Sequence, residues 1–423
     1  MLEAVSTSNP DSAAPWLARV DFVLELARRL HMYGTSAQRL EGAVSQVARR
    51  LGLEADVWSN PTGMLLSFPD PERPGYSMTR VIRLEPGEEN LGRLAAADAI
   101  AEDVLAGRRD TAEGLAAMRA LDRPRRPYAA LWTVLAFGLA SSSVTGLLPN
   151  SGWADLSTAA LLGCGIGLLT EISANRPRLD PALDALAAFL VTLIATAVAT
   201  FVAPLSLQGV IIAGLIVLMP GLTLTTAVSE LTAKQLVSGT ARFAGALTTL
   251  LKLTFGAVAA AQVVNLLGWT PMPNTGDALP VWMPWLTLLA GSFAFAVLFK
   301  AARRDVLLVM ASVWLGYAVT RFASLVPGAS ENALPGGVFL AGIVVTAAGN
   351  LYGRLANRPS ALIRVPGIIL LVPGSLGFRS FNFVFERDVL LGLDTAFAVL
   401  AALIALVAGI LFGNLLMPTR RNL

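Results

Sequence analysis

The chain has one cysteine and one histidine in 423 residues. Cys164 lies in an apolar run, so neither a disulfide framework nor a thiolate metal site can be built. No metal and no other cofactor is expected. Charge is also scarce. Asp, Glu, Lys and Arg make up 14% of the chain, where a soluble domain carries about 25%. The hydrophobic fraction is 55% and the mean hydropathy +0.63. No Gly-x-x-x-x-Gly-Lys-Ser/Thr phosphate loop occurs, which speaks against direct use of ATP by this chain. Met1 to Pro15 lack the basic start and apolar core of a signal peptide, so the N-terminal part is expected to stay unexported. The net charge of +3 and pI near 9.3 do not point to nucleic acid, because the basic residues of the apolar part sit in short loops.

The scarce charge is unevenly placed. Residues 1–127 hold 16 of the 32 Lys and Arg and 18 of the 29 Asp and Glu. The reading is a small cytoplasmic α+β domain over 1–127, ending in the basic linker Arg123-Pro-Arg-Arg-Pro127, and then a polytopic α-helical membrane domain. A span needs about 20 mostly apolar residues. Ten are read, at 128–148, 154–172, 183–204, 208–228, 237–268, 281–300, 304–325, 332–353, 361–378 and 387–416. Arg176, Arg178, Lys234, Arg242, Lys300, Arg303, Arg304, Arg354, Arg358, Arg364, Arg420 and Arg421 fall at one set of span ends. Arg321, Arg379 and Arg387 fall at the other. The positive-inside rule then puts both termini in the cytoplasm. The connector 269–280 has no Lys or Arg, as an external loop should, and Trp269, Trp282 and Trp285 read as interfacial anchors.

One phrase occurs twice. Gly214-Leu-Ile-Val-Leu-Met-Pro220-Gly221 returns as Gly367-Ile-Ile-Leu-Leu-Val-Pro373-Gly374, an offset of 153 residues. The same offset carries the first span onto the sixth and Gly239 onto Gly392. The repeat is therefore five spans long, 128–268 and 281–423, and an odd number of spans makes the second copy enter from the opposite side. Such an inverted 5+5 repeat is a plan of secondary transporters, whose sites lie at broken helices. The first break is expected toward the cytoplasm and the second toward the outside. If they meet, they could serve the two sides of an alternating-access path.

Proline cannot donate a backbone hydrogen bond, and glycine adopts torsions closed to other residues. A Pro-Gly break exposes carbonyls before it and N–H groups after it. The N–H end suits a carboxylate and the carbonyl end an ammonium, so a zwitterionic amino acid fits. The candidate substrate contacts are Pro220, Gly221, Thr223, Thr225 and Thr226 in the first copy, and Pro373, Gly374, Ser375 and Arg379 in the second. A plain kink is the alternative. Charged residues inside spans default to a functional reading. Asp394 is the candidate proton carrier, with Lys252 as its counter-charge. Arg242, Glu230, Glu171 and Asp184 lie nearer cytoplasmic ends, where capping explains them equally well. Gly163-x-x-x-Gly167 and Gly409-x-x-x-Gly413 read as close helix packing.

In the N-terminal domain, Val20, Val23, Leu24, Ala27 and Leu30 mark an amphipathic helix that ends at Gly34. Thr35-Ser-Ala-Gln38 reads as a capping box, with Thr35 the N-cap of a helix buried through Leu40, Val44, Val47 and Leu51. Residues 54–68 and 76–85 read as strands, and 90–121 as helix. His31, Gly34 and Ser36 have a hydrolase-like spacing. The plainer reading is a helix end followed by a capping turn.

The phrases Tyr33-Gly-Thr-Ser-Ala-Gln-Arg39-Leu-Glu41, Leu51-Gly52-Leu53, Met219-Pro-Gly221, Ser238-Gly-Thr-Ala-Arg242, Val372-Pro-Gly374 and Gly377-Phe-Arg379, in this order, resemble the threonine/serine exporter family in its fused single-chain form. The resemblance covers roughly residues 17–416. It implies ten spans, a cytoplasmic N-terminal domain, a bacterial plasma (inner) membrane location, and proton-driven efflux of threonine and serine. Some members are split into two chains at the repeat boundary. Hydrolase-like activity has been suggested for the family's N-terminal region, and His31 and Ser36 would have to carry it here. A passive channel is the other reading of the membrane part. The expected partners are a small amino acid, protons and the lipid bilayer. A homo-oligomer is compatible with this plan.

Overall fold

The computed structural model describes residues 16–122, 129–149, 151–176, 178–272, 278–323, 335–385 and 388–419. The segment Met1–Pro15, the linker Arg123–Pro127, part of the 269–280 connector, Arg387, Arg420 and Arg421 lie outside the described residues. The N-terminal unit begins with α1 (Trp16–Met32) and α2 (Ala37–Arg50). A sheet of β1 (Asp56–Asn60), β2 (Gly63–Pro69) and β3 (Ser77–Arg83) follows, then α3 (Leu91–Leu105) and α4 (Thr111–Ala120). The sheet is antiparallel in the order β1-β2-β3, with Asn60 opposite Gly63. The first strand run is therefore two strands, not one. Pro61 cannot donate to a ladder, and Asn60 Oδ1 accepts from the Thr62 N–H at 3.0 Å, which closes the turn. The helical run 90–121 is likewise two helices, parted at Gly107 with φ +68°. Asp110 caps α4 by accepting from the Glu113 N–H at 2.6 Å. On α1, Phe22 and Leu26 are buried besides the expected stripe, because α4 packs on a second face of the helix.

The capping box is not formed. Ser36, not Thr35, is the N-cap of α2, and it makes no side-chain cap bond. Gly34, at φ +83°, turns the chain directly out of α1 and places the α2 start one residue later. The Thr35 hydroxyl is buried without a hydrogen bond, and Gln38 is exposed.

Each of the ten sequence-read spans holds helix. Eight segments among the described residues are long and apolar enough to cross a membrane. They are α5 (Ala129–Leu147), α6 (Trp153–Ala174), α7 (Leu183–Phe201) with the turn before it, α10 (Leu236–Leu266), α12 (Val306–Ala323) with its leading turn, α13 (Gly336–Ala356), the segment Ala361–Phe385, and α16 (Val389–Leu416). Of the other two, α11 (Met283–Leu298) is apolar but shorter. The fourth is divided into α8 (Leu207–Leu215) and α9 (Gly221–Thr232). Residues 361–385 are divided in the same way, into α14 (Ala361–Ile368), a 3-10 turn (Ile369–Leu371) and α15 (Gly374–Phe385).

Packing recurs at the offset of 153 residues. Helix α10 lies on α9 and α7, as α16 lies on α15 and α13; α8 lies on α6 and α7, as α14 lies on α12 and α13. A Cβ on Gly239 would stand 2.9 Å from the Leu231 nitrogen, and one on Gly392 3.1 Å from the Val384 nitrogen. Both pairs are related by the offset. So are Gly256 against Phe189 and Gly409 against Gly342. The small-residue motifs do pack closely: Gly167 approaches the Val134 backbone of α5, and Gly413 the Ile343 carbonyl of α13.

The N-terminal unit shares its apolar core with the helical part. One cluster runs from Leu26 and Leu40 through Phe295, Phe299 and Leu362, with Leu222 and Leu370 packed against it. Two helix ends make the junction. The Phe299 and Lys300 carbonyls, at the end of α11, accept from the Leu91 and Gly92 N–H groups at 3.0 and 3.2 Å. The unpaired carbonyls of one helix thus satisfy the unpaired donors of another. Gly92 is needed there, since a Cβ would stand 2.6 Å from the Lys300 oxygen.

Candidate functional site

The two Pro-Gly breaks touch. A Cβ on Gly374 would lie 3.2 Å from Gly221 Cα and 3.3 Å from Gly221 N, and a Cβ on Gly221 would run into the Val372 side chain. The breaks share one hydrogen-bond pattern. Gly221 N–H donates to the Met219 carbonyl at 2.8 Å, and Gly374 N–H to the Val372 carbonyl at 3.0 Å. Leu224 N–H reaches the Pro220 carbonyl, and Gly377 N–H the Pro373 carbonyl. The first-turn N–H groups of residues 222, 223, 375 and 376 are left without intrahelical acceptors. Two helix N-termini, each a partial positive charge, start at one place, beside the carbonyl ends of α8 and of the 3-10 turn.

This corrects the expectation that the breaks lie on opposite sides. Residues in contact share a level. The sequence reading stopped the fourth and ninth spans at 228 and 378, whereas α9 continues to Thr232 and α15 to Phe385. With those turns added, both breaks fall near the middle of their segments.

From the breaks, each half-helix carries a polar stripe at three- and four-residue spacing: Thr223, Thr226 and Glu230 on α9, and Ser375, Arg379 and Asn382 on α15. Thr223, Thr226, Ser375 and Arg379 are half-buried. Thr225 is buried and donates back to the Gly221 carbonyl at 3.2 Å, so its hydroxyl serves its own helix. Arg379 Nε and Asn382 Oδ1 are buried without a protein hydrogen bond among the described residues, and the guanidinium lies 5.8 Å from the Phe383 ring centroid. Buried polar atoms normally find partners, so these two are open to a ligand or water. Asn382 escaped the sequence reading, although its place three residues after Arg379 marks it. Thr226 and Arg379 stand at the offset of 153 and so occupy matching places in the two copies.

The charged candidates divide. Glu230 is 1% exposed and pairs with Arg242 at 3.1 Å. It also accepts from Ser238 Oγ at 2.7 Å and from the Ala37 N–H at 2.9 Å. Glu230 therefore caps α2 of the N-terminal unit, which is why the local capping box is dispensable. Gln235 bonds Glu41 at 2.6 Å beside it. Lys252 is paired with Asp184 at 3.6 Å, a correction to its reading as the counter-charge of Asp394. Both side chains keep some exposure, and the pair ties α7 to α10. Asp394 is exposed, with no hydrogen bond or ion pair among the described residues. Gly392 faces α15, and a carboxyl two residues on points away from that contact, as 100° per residue dictates. Glu171 is half-buried near the end of α6, where its carbonyl accepts from Asn175 at 3.0 Å.

His31 is buried, and its Nε2 lies 3.2 Å from the Glu85 carbonyl. Burial pushes its pKa below the ordinary imidazole value. Ser36 begins α2. The pair reads as a helix end and a helix start, the plainer of the two expectations. A separate cavity of about 390 Å³, lined by Ser157, Thr158, Leu161, Leu162, Ile166 and Ile194 among others, lies between α6 and α7. It contains none of the break residues.

Eight apolar segments of spanning length among the described residues define a multi-pass helical membrane protein. The comparisons narrow this. A family model described as putative threonine/serine exporter matches residues 21–264, and a second, described as threonine/serine exporter, matches 285–416. The chain belongs to the threonine/serine exporter family. Among curated proteins it is 26% identical over 378 residues to an uncharacterized protein of Schizosaccharomyces pombe, covering 85% of this chain and 48% of that one. It is 25% identical over 375 residues to pheromone-regulated membrane protein 10 of Eremothecium gossypii, covering 87% and 50%. Against the Yarrowia lipolytica protein of the same name the identity is 26%, covering 86% and 30%. The chain thus spans half or less of the length of these relatives. No solved structure matches.

Proposed function

We propose that the protein exports threonine, serine and similar small hydroxy amino acids, driven by the proton gradient. Its membrane part is ten spans in an inverted 5+5 repeat, in the plasma (inner) membrane of a bacterium, with both termini in the cytoplasm. The observation that carries the reading is the direct contact of Gly221 with Gly374. Two half-helix N-termini there can hold one carboxylate, and the adjoining carbonyl ends can hold the ammonium. Thr223, Thr226, Ser375, Arg379 and Asn382, on the stripes leading from that centre, are its proposed hydroxyl, guanidinium and amide partners. Packing that recurs at 153 residues supports the repeat, because residues on a pseudo-two-fold axis meet their own mates. The docking of the N-terminal unit beside Lys234, Arg242, Lys300 and Arg358, the basic ends of the helices, supports its cytoplasmic side.

Asp394 is the proposed proton carrier. It is the span carboxyl without a protein partner among the described residues, near the end of α16 assigned to the outside. Protons entering from there would reach it first. The test is efflux. Cells preloaded with a threonine dipeptide are followed for external threonine, with and without a protonophore. Export should depend on the gene and collapse with the gradient, and Asp394→Asn should uncouple it. Efflux unchanged by deletion of the gene removes the substrate reading. Efflux that ignores the gradient and Asp394→Asn favours a passive channel.

A further inference from the structure

The N-terminal unit touches both halves of the helical part, and the two contacts differ in kind. Against the second half the contact is apolar and broad. The helical residues buried in the shared core are Phe295, Ala296, Phe299, Val309, Ala361 and Leu362, all from that half. The Leu91 and Gly92 N–H groups bond the Phe299 and Lys300 carbonyls there. Lys300 Nζ pairs with Glu88 at 2.7 Å, and Arg39 Nη2 donates to Ser360 Oγ at 2.8 Å.

Against the first half the contact is narrow and mostly polar. Among the described residues, that half adds only the partly buried Leu222 to the shared core. The Ala37 N–H, at the start of α2, donates to Glu230 Oε1 at 2.9 Å. Gln235 Nε2 donates to Glu41 Oε2 at 2.6 Å, and β1 lies on α10 beside them. Glu89, on the loop before α3, faces Arg242 of the first half and Arg364 of the second. Burial pushes its carboxyl up to about 7, so near neutrality it adds only a partial charge to either contact.

These two seams do not open with equal ease. Parting the apolar seam returns buried side chains to water, which is costly. Parting the polar one exchanges protein hydrogen bonds for bonds to water, at a small net cost. It also leaves no charge bare. Glu230 keeps Arg242 and Ser238 of its own half, and Glu41 keeps the Ser59 N–H of its own unit. Helix α2 even carries a replacement cap. Ser36 is its N-cap residue, and its hydroxyl makes no cap bond while Glu230 is in place. Serine is a preferred N-cap, so Ser36 can satisfy the first turn once Glu230 leaves.

The polar seam lies where it can act on the breaks. Glu230 stands nine residues after Gly221 on α9, about 14 Å along the helix. At its first residue α9 touches Gly374 of the second half directly. At Glu230 it is tied to the same half through the N-terminal unit. Helix α9 is thus held at both ends, and it can tilt away from the second half only if the bond to Ala37 opens. We infer that the N-terminal unit is a latch: it rides with the second half, closes on α9 and α10 of the first, and must open there in each transport cycle. This rests on the proposed export function, in which the two halves move against each other. The arrangement described is the latched one.

The test uses the full chain with Cys164→Ser in proteoliposomes. Glu41→Cys and Gln235→Cys, joined by a short bismaleimide, fix the latch shut, and threonine transport should fall about tenfold or more. The same pair capped separately with N-ethylmaleimide should transport within about twofold of the parent. Glu88→Cys and Lys300→Cys, joined by the same bismaleimide, tie the unit to the half it rides with and should also leave transport within about twofold. A second arm is hydrogen exchange, which needs no transport and covers the case in which a cysteine pair does not insert. Gln235→Glu sets a second carboxylate against Glu41. It should speed exchange of the first-turn amides of α2 several-fold while those of Leu91 and Gly92 stay protected. Transport undiminished by the Glu41–Gln235 cross-link, or lost equally with N-ethylmaleimide or with the Glu88–Lys300 cross-link, overturns the latch. So does loosening of Leu91 and Gly92 to the same extent as α2. Absence of threonine transport in the wild-type protein overturns the export function itself, so the two failures are distinct.

Discussion

One methyl group at residue 374 should stop export while leaving the protein folded and inserted. In Gly374→Ala the new Cβ would stand 3.2 Å from Gly221 Cα and 3.3 Å from Gly221 N. Both are backbone atoms at the start of α9, so no rotamer change can make room. Overpacking of this kind costs about 1–3 kcal/mol. In an alternating-access cycle the contact belongs to one arrangement of the two halves, and the cost falls on that arrangement alone. At 1.4 kcal/mol for each factor of ten, export should fall roughly 5- to 150-fold. Gly221→Ala differs, because its Cβ meets the Val372 side chain. Val372→Ala should therefore rescue Gly221→Ala and fail to rescue Gly374→Ala. Gly245→Ala on α10 is the control. Nothing lies within 4 Å of its Cβ, and replacing glycine within a helix should add up to about 1 kcal/mol of stability. The assay is threonine efflux from proteoliposomes at matched protein content. Wild-type rates in Gly374→Ala, or equal rescue of both variants by Val372→Ala, would refute the reasoning.

Pro220→Ala and Pro373→Ala should each let a continuous helix form, lowering the maximal rate while helix content by circular dichroism stays the same or rises. Glu230→Gln should loosen the N-terminal unit, since breaking a buried pair costs about 3 kcal/mol or more. Limited proteolysis would then cut the unit faster, with the helical part intact. Glu89 gives a pH prediction. Its folded pKa of about 7 lies above the ordinary carboxyl value, so between the two the folded state holds a proton that the unfolded state has released. Its contribution to stability is lost as pH rises toward 7. Glu41, also raised by burial, acts in the same direction, and His31, lowered by burial, acts against both. The difference between wild type and Glu89→Gln isolates the residue: the variant should lose less melting temperature between pH 5 and pH 8.

The breaks were legible because their signal is local. Proline and glycine interrupt an apolar run within two residues, and the offset between copies is visible by eye. The contact of Gly221 with Gly374 followed only conditionally, since nothing in the phrase says how two helices cross. The Asn60-Pro-Thr-Gly63 turn is readable in the sequence, since its proline cannot continue a ladder. The cap on α2 was not readable. Its acceptor, Glu230, lies 193 residues away, so local pattern pointed to Thr35 instead. Arg39, Glu89 and Arg364 look like ordinary surface and loop charges, and only the docking of the N-terminal unit encloses them. Asp394 was legible as a carboxyl inside a span, but its exposed side was not. An apolar surrounding in sequence says nothing about which way one residue of a helix faces.

The central claim is that the paired breaks hold the substrate. The most direct measurement replaces Cys164 by Ser and introduces one cysteine at Ser375, then follows its reaction with a thiol reagent in the presence and absence of L-threonine. The account predicts that threonine and serine slow the labelling several-fold and that lysine does not. Labelling at the same rate with and without threonine, in protein that exports threonine, would contradict it.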